Sequence, residues 1–423
     1  MKLLGASFII TCNDDIGILR NGGVLIDNGK ILAVGDFNEL KQQCRQCDFL
    51  FYKNHIILPA LINSHIHFEF SKNISSFMYG RFDLWLNSVM QNRGAILKDN
   101  LKAIQKAIME QKKSGVGTVC AISSYDLDLD CLLNSNLRVI FCHEVIGADE
   151  KDFENQVINI SNRLEHSMAL KTNLFQSALA LHAPYSVHTK LAQYIIELAS
   201  KYKLLISTHF LESKHELEWL QSKSGYFKEF YDKYLKLEDV QSFNQDEFID
   251  LFHDVQAIFT HCLYADSSVK EEILKRGSII SCPRSNLLLN GKMGDNNIIA
   301  TDGKSSNNDV DLLQEMRYVL FATLSAKETE QDESKSSTEA RDIESISKHI
   351  LYAVTCNPAK ALGLNNGVLQ EGKDADIAIF EIECEHLEQV ITSFVLNAKG
   401  AISLLVNGVD IISYGNNENN TIH

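Results

Sequence analysis

The sequence predicts an α/β protein: a (β/α)8 TIM-like barrel carrying a small β-sandwich domain built from both chain termini. Three observations predict it. Short apolar runs alternate with amphipathic helical patterns through the middle of the chain. There are eight such runs. Strand and hairpin signals recur at both ends.

Residues 1–58 read as short strands. Gly22-Gly23 and Asn28-Gly29 are hairpin dipeptides beside the apolar runs Val24-Leu25-Ile26 and Ile31-Leu32-Ala33-Val34. The same pattern returns in Ala375–Phe380 and Ile402–Val406, followed by Asn407-Gly408. Neither end is long enough to fold securely alone. One composite domain of residues 1–58 and 365–423 is therefore expected, with residues 59–364 as the barrel.

The barrel runs are Ile57–Ile62, Gly117–Ile122, Arg138–Phe141, Ser177–Leu181, Leu204–Thr208, Ala257–Thr260, Ser278–Ser281 and Ile298–Ala300. Helical patterns such as Leu101–Lys112 and Lys190–Lys201 lie between them. Buried strands joined by helices imply a parallel sheet, and eight of them imply closure, with chemistry at the C-terminal strand ends. Two segments depart from the pattern. Residues 327–341 are rich in Glu, Asp and Ser without an apolar period and read as a solvated loop. The connection from Asn286 to Ile298 has room for only a turn or two of helix, which is expected to expose one side of the eighth strand and lower stability.

Composition excludes several functions. The formal net charge is −15 and Lys and Arg form no stripe, which disfavours nucleic-acid or anionic-membrane partners. No run of eighteen apolar residues exists, and Met1–Asn13 lacks signal-peptide features. The ten cysteines follow no framework spacing and read as reduced thiols of a cytoplasmic protein. Cys44 and Cys47 have C-x-x-C spacing without a second ligand pair nearby. Gly115-Val116-Gly117 reads as a helix-to-strand turn.

Placement of the histidines carries the chemistry. His65 and His67 end the first barrel run at a spacing of two, so their imidazoles share a face of the strand. At a barrel mouth such a pair is half of a divalent transition-metal site. His182, His209, His261 and Asp302 each follow a later run. A single histidine there is as readily a hydrogen-bonded structural residue, and for His182 that alternative stays open. Glu212, three residues after His209, can reach an activated water without ligating the metal. A surface carboxylate opening a helix is the alternative.

Together these residues resemble the amidohydrolase superfamily, in its cytosine-deaminase-like and chlorohydrolase-like branch. The motifs are Leu58–His67, His182-Ala183-Pro184-Tyr185-Ser186, Thr208–Ser213, Thr260-His261-Cys262, Cys282–Asn286, Thr301-Asp302-Gly303 and Gly367–Asp376. The resemblance implies that His65, His67, His209 and Asp302 hold one divalent metal, zinc or Fe(II). It implies that Asp302 also takes the proton of the activated water, and that Glu212 shuttles a proton to a substrate ring nitrogen. His261 then orients the nucleophile and the tetrahedral intermediate, and His182 contacts the substrate.

His67–Ser71, Trp85-Leu86 and Gly94–Leu97 further resemble the aminofutalosine deaminases of the futalosine route to menaquinone. That implies hydrolytic removal of the 6-amino group of an adenine nucleoside, with a small-molecule purine nucleoside as the sole class of partner and a homodimer as the assembly common among relatives. In methylthioadenosine and adenosylhomocysteine relatives a ribose-contacting Glu follows the Trp-Leu pair; Arg93 and Gly94 stand there in this sequence. Glu69 and Glu144, each near a strand end, are the expected substitutes. Alternatives are deamination of methylthioadenosine, adenosylhomocysteine or guanine, a chlorohydrolase, and a non-catalytic metal-binding barrel.

Overall fold

The computed structural model describes residues 1–44, 47–237, 240, 242–329 and 342–412. The strands are β1 (Lys2–Ile10), β2 (Ile18–Asp27), β3 (Lys30–Asp36), β4 (Asp48–Pro59), β5 (Leu61–Ile66), β6 (Val116–Ser123) and β7 (Arg138–Val145). They continue with β8 (Phe175–Leu181), β9 (Ile206–Phe210), β10 (Ala257–His261), β11 (Gly277–Ile280), β12 (Ile377–Glu381), β13 (Ala401–Val406) and β14 (Val409–Asp410). By contacts the chain forms two compact units. One is Met1–Ile62 with Met109–Thr118 and Asp311–His423, and the other is Asn63–Ile108 with Val119–Val310.

The terminal strands form one seven-stranded mixed sheet in the order β14-β13-β12-β4-β1-β2-β3. β12 from the C-terminal region pairs antiparallel with β4, so both chain ends complete one ladder. Its core gathers Leu4, Ile9, Val24, Ile57, Ile377 and Leu405. Two expected hairpins form. Asn28 and Gly29 both have positive φ (47° and 77°) between β2 and β3, as do Asn407 and Gly408 (51° and 77°) between β13 and β14, as type I′ turns require. Gly22-Gly23 is no turn. These glycines lie inside β2, where a Cβ on Gly22 would stand 2.5 Å from Ile9 Cγ1. Close packing, not chain reversal, demands them. Ile57 and Leu58 likewise belong to β4 of this sheet, and the first barrel strand starts at Leu61.

The second sheet runs β5 to β11 in sequence order, and the ladders from β7 to β11 are parallel. Residues 298–302 take the eighth place. Ile299 bridges Ser281 in parallel, Ala300 N–H donates to Ser281 O, and Asp302 N–H donates to His65 O at 3.1 Å. Asn63 Nδ2 donates to Thr301 Oγ1 at 2.8 Å and ties the eighth strand to the first. The barrel is thus closed. The expected helices form as Leu101–Lys113 and Thr189–Tyr202. An aromatic-rich core that includes Phe210, Phe227, Phe248 and Phe259 packs around the strands.

The short connection before the eighth strand does not expose it. Ile298 to Asp302 are all buried. The helix there starts earlier than Asn286, running Pro283–Asn290 with proline at its first positions and Gly291 in the left-handed C-cap. Of the acidic stretch 327–341, residues 330–341 lie outside the described residues, and the preceding helix Leu312–Thr329 runs into its first residues. All ten cysteines are free. No helix among the described residues is long and apolar enough to cross a membrane.

Candidate active site

The expected metal-suited side chains meet at the C-terminal ends of the barrel strands. His65 and His67 come from the end of β5 with ring centroids 5.0 Å apart. His209 comes from β9, and its Nε2 lies 3.2 Å from His67 Nε2. Donor atoms of His65, His67 and His209 all lie within 4.8 Å of one another. Asp302 Oδ1 stands 3.8 Å from Nε2 of both His65 and His67. His261 and Cys282 form a second close group with Asp302, a thiol that sequence reasoning gave no place at the site.

Three of the rings, His65, His209 and His261, are oriented from behind. Thr260 Oγ1 lies 3.1 Å from His65 Nδ1, the His182 carbonyl lies 2.8 Å from His209 Nδ1, and Asn286 Oδ1 lies 2.7 Å from His261 Nδ1. Carbonyl oxygens only accept, so Nδ1 of His209 and of His261 carries the proton and Nε2 is left as the donor of a lone pair. Ser285 and Ser306 hydroxyls and the Gly303 N–H all donate to the Asp302 carboxylate. The backbone is held in the left-handed region at Leu211, His261, Cys262 and Asp302, with φ between 49° and 77°. Such strain costs on the order of 1–3 kcal/mol per residue and clusters at functional sites.

Electrostatics divides these groups. Burial, reinforced by the neighbouring rings, holds His65 and His209 well below the ordinary histidine range, which favours the neutral ring that a metal would need. Burial also lowers His182 and His261. Burial alone would raise Asp302, but His65, His67, His261 and the Ser306 hydroxyl hold it below the ordinary carboxylate range. Three imidazoles and an ionised carboxylate are the donor set of a divalent transition metal. His65 Nε2 is buried and without a hydrogen-bond partner among the described residues, which such an ion would satisfy.

Glu212 is the opposite case. Burial, with Asp302 adding to it, pushes its carboxyl well above the ordinary range, which favours its acid form. Its Oε1 lies 3.7 Å from His261 Nε2. A buried Glu216 accepts the N–H groups of Leu211 and Glu212 at 2.8 and 3.0 Å and fixes the turn that aims Glu212 inward.

A cavity of about 330 Å³ opens from this cluster, with His67, His182, His209, Glu212, His261 and Asp302 at its floor. Glu144 also lines it. Its Oε1 lies 3.8 Å from His209 Nδ1, and its other oxygen accepts from the Ser124 hydroxyl. His182 Nδ1 pairs with Ser186 Oγ at 2.6 Å. Glu69 corrects the sequence expectation. It does not line the cavity, and its carboxylate accepts the N–H groups of Ser124, Tyr125 and Leu127 together with the Ser123 hydroxyl. It ties down the loop after β6 and has no oxygen to offer a substrate. Ser124, Asn286 and Ser306 were not assigned from sequence, since each acts only through a partner distant in the chain.

Comparison with known proteins agrees with this geometry. The family model described as "Amidohydrolase family" matches residues 56–409. The chain is 36% identical to an adenosine deaminase of Helicobacter pylori, covering 97% of this chain and 100% of that one. It is 32% identical to an aminodeoxyfutalosine deaminase of a Nitratiruptor species, covering 86% and 88%. The crystal structure of Helicobacter pylori aminofutalosine deaminase with methylthio-coformycin superposes with a TM-score of 0.88 at 35% identity, covering 97% of this chain and all of that one. A family match that spans the whole barrel and its strand-end histidines, together with a 36% identical relative covered over its full length, settles the family: the chain belongs to the amidohydrolase family.

Proposed function

We propose that this chain hydrolyses the 6-amino group of an adenine nucleoside to a carbonyl, releasing ammonia, and that aminofutalosine is its substrate. The observation that carries the reading is that Glu212, its carboxyl raised by burial, shares one cavity with Asp302, its carboxyl lowered by neighbouring imidazoles, and with the His65–His67–His209 cluster. Relatives at 36% and 32% identity with nucleoside deaminase names support it. His65, His67, His209 and Asp302 are the residues that would hold the ion, zinc first and Fe(II) second. When bound, a divalent ion supplies a water acidic enough to attack near neutral pH.

The protein's own groups then divide the proton work. Glu212 donates its proton to the ring nitrogen beside C6, which makes that carbon electron-poor. Asp302 accepts one proton from the attacking water and passes it to the departing amine, which leaves as ammonia, while the remaining proton of the oxygen added at C6 returns to Glu212 as the carbonyl forms. His261 holds the oxygen that adds to C6. Glu144, with an oxygen that has no hydrogen-bond partner among the described residues, is placed to accept from a ribose hydroxyl. His182 lines the same floor as a substrate contact.

The cavity continues from the cluster along an apolar wall that includes Trp85, Val89 and Phe230. This favours a nucleoside with an extended 5′ arm over plain adenosine. The test is ammonia release from aminofutalosine, methylthioadenosine, adenosine and guanine, side by side on metal-assayed protein. The reading expects aminofutalosine to give the highest kcat/KM. Release from guanine alone, or from none of the four, overturns it. Chain pairing and a cytoplasmic setting are part of the same reading, and sedimentation of the purified protein tests the first.

A further inference from the structure

Arg163, on the helix Phe153–Ala169, holds two neighbouring strand ends of the barrel at once. Its Nη2 donates to the Ser123 carbonyl at 2.8 Å and its Nη1 to the Glu144 carbonyl at 3.2 Å. Ser123 ends β6, and Glu144 is the last residue but one of β7. Nε and Nη2 also donate to the two carboxylate oxygens of Asp126, at 3.0 and 2.7 Å. A planar guanidinium can serve three such partners because its donors form a fixed fork.

The fork is itself anchored. Asp126 stands in the left-handed region at φ 57°. His143 Nδ1 donates to its Oδ1 at 3.0 Å, and Ser167 Oγ lies 2.6 Å from His143 Nε2. Burial alone would raise the Asp126 carboxyl, but His143 and Arg163 hold it down at about 2. Arg163, Asp126 and His143 do not line the cavity. What Arg163 holds does line it: Glu144, and Ser124, which follows Ser123. The Ser124 hydroxyl donates to Glu144 Oε2. Glu144 Oε1 is left buried and without a hydrogen-bond partner among the described residues. A glutamate is free to turn about its side-chain bonds, and the Ser124 contact stops this only while the two strand ends keep their spacing.

We propose that Arg163 is a positioning residue for sugar recognition: its hold on the Ser123 and Glu144 carbonyls keeps the Ser124–Glu144 pair in place, so that one Glu144 oxygen is offered to a ribose hydroxyl. This rests on the deaminase reading above, with Glu144 as the ribose contact. Arg163 acts through backbone and touches no substrate atom. A lysine there keeps a charge for Asp126 but is a point donor that cannot span both carbonyls.

The experiment compares adenosine with 2′,3′-dideoxyadenosine on metal-loaded wild-type protein, Arg163→Met and Arg163→Lys. kcat, KM, calorimetric Kd and metal per chain are measured, after melting curves show which variants fold. Wild type is expected to prefer the ribose by roughly 10- to 100-fold, the range of a hydrogen bond to a charged group. Arg163→Met brings that ratio close to one by raising KM and Kd for adenosine, with dideoxyadenosine kinetics and metal content unchanged. Arg163→Lys falls between the two. If Arg163→Met does not fold, the lysine variant decides alone, and a wild-type ratio in it overturns the proposal. Equal losses on both sugars would mark a purely structural role and overturn it too, as would a wild type without sugar preference or without binding of either nucleoside. An Arg163-dependent ribose preference in Kd with no turnover of either nucleoside leaves the assignment standing and sinks the deaminase reading instead.

Discussion

Asn286 Oδ1 lies 2.7 Å from His261 Nδ1, and this contact fixes which face of the imidazole works. The amide oxygen holds the proton on Nδ1, so Nε2 faces Glu212 as an acceptor, 3.7 Å from its Oε1. Asn286 stands on the Pro283–Asn290 helix, and its Nδ2 donates to Ser281 Oγ at 3.4 Å, which sets the amide's orientation. The short connection before the eighth strand is thus where the orientation of His261 is decided.

Asn286→Ala should therefore lower kcat by roughly 10- to 100-fold, the usual cost of losing the outer partner of a site histidine, with KM little changed. Steady-state kinetics on folded protein checks this. An equal rise in KM with kcat intact would show that Asn286 serves binding instead.

Glu212→Gln removes the transferable proton while keeping shape. The expected loss is about 10²- to 10⁴-fold in kcat, with bound metal per chain unchanged by elemental analysis. A variant that loses its metal in step with its rate would place Glu212 among the ligands.

The same carboxyl sets a pH limb. Burial raises Glu212, and the acid form is the working form. Activity is then full below its raised pKa and falls as pH climbs through it. The Glu212→Gln variant should lack that limb in its residual rate. A wild-type profile that instead rises through this range would mean Glu212 acts as a base from the start.

Metal removal should loosen the barrel. An ion held only by the folded state, present at 100 times its Kd, adds about 2.7 kcal/mol. Chelated protein should melt several degrees lower and recover with zinc. The His65→Ala variant should show little response to either treatment. Scanning calorimetry distinguishes these outcomes, and an unchanged melting point on full chelation would count against the site.

Gly303 is required by close approach. A Cβ there would stand 2.8 Å from both the Cβ and the carbonyl oxygen of His67, and the oxygen belongs to backbone that cannot swing away. Gly303→Ala should push His67 and Asp302 apart, lowering metal occupancy and rate together. Metal titration beside kinetics reads both. Normal occupancy in the variant would show that the strand ends yield more readily than this packing implies.

The metal-suited cluster was legible in the sequence because strand geometry is local. A spacing of two puts His65 and His67 on one face, and a histidine or aspartate after each later apolar run reaches the same mouth. The alternation of runs and helices gave the barrel for the same reason. Glu69 was misread because that alternation ends with the strand. Past His67 the chain turns, and the N–H groups of the loop after β6 take the carboxylate. Gly22-Gly23 was misread because two glycines serve a turn and a tight packing site equally well.

The chain by itself thus determined the repeat, the barrel, the composite terminal sheet and the histidine-bearing strand ends, all of which follow from periodicities of two and 3.6 residues. Only the tertiary structure decided the rest. It raised the Glu212 carboxyl and lowered that of Asp302, because burial and neighbouring charge act through space and leave no mark on spacing. It also paired Asn286 with His261 across 25 positions.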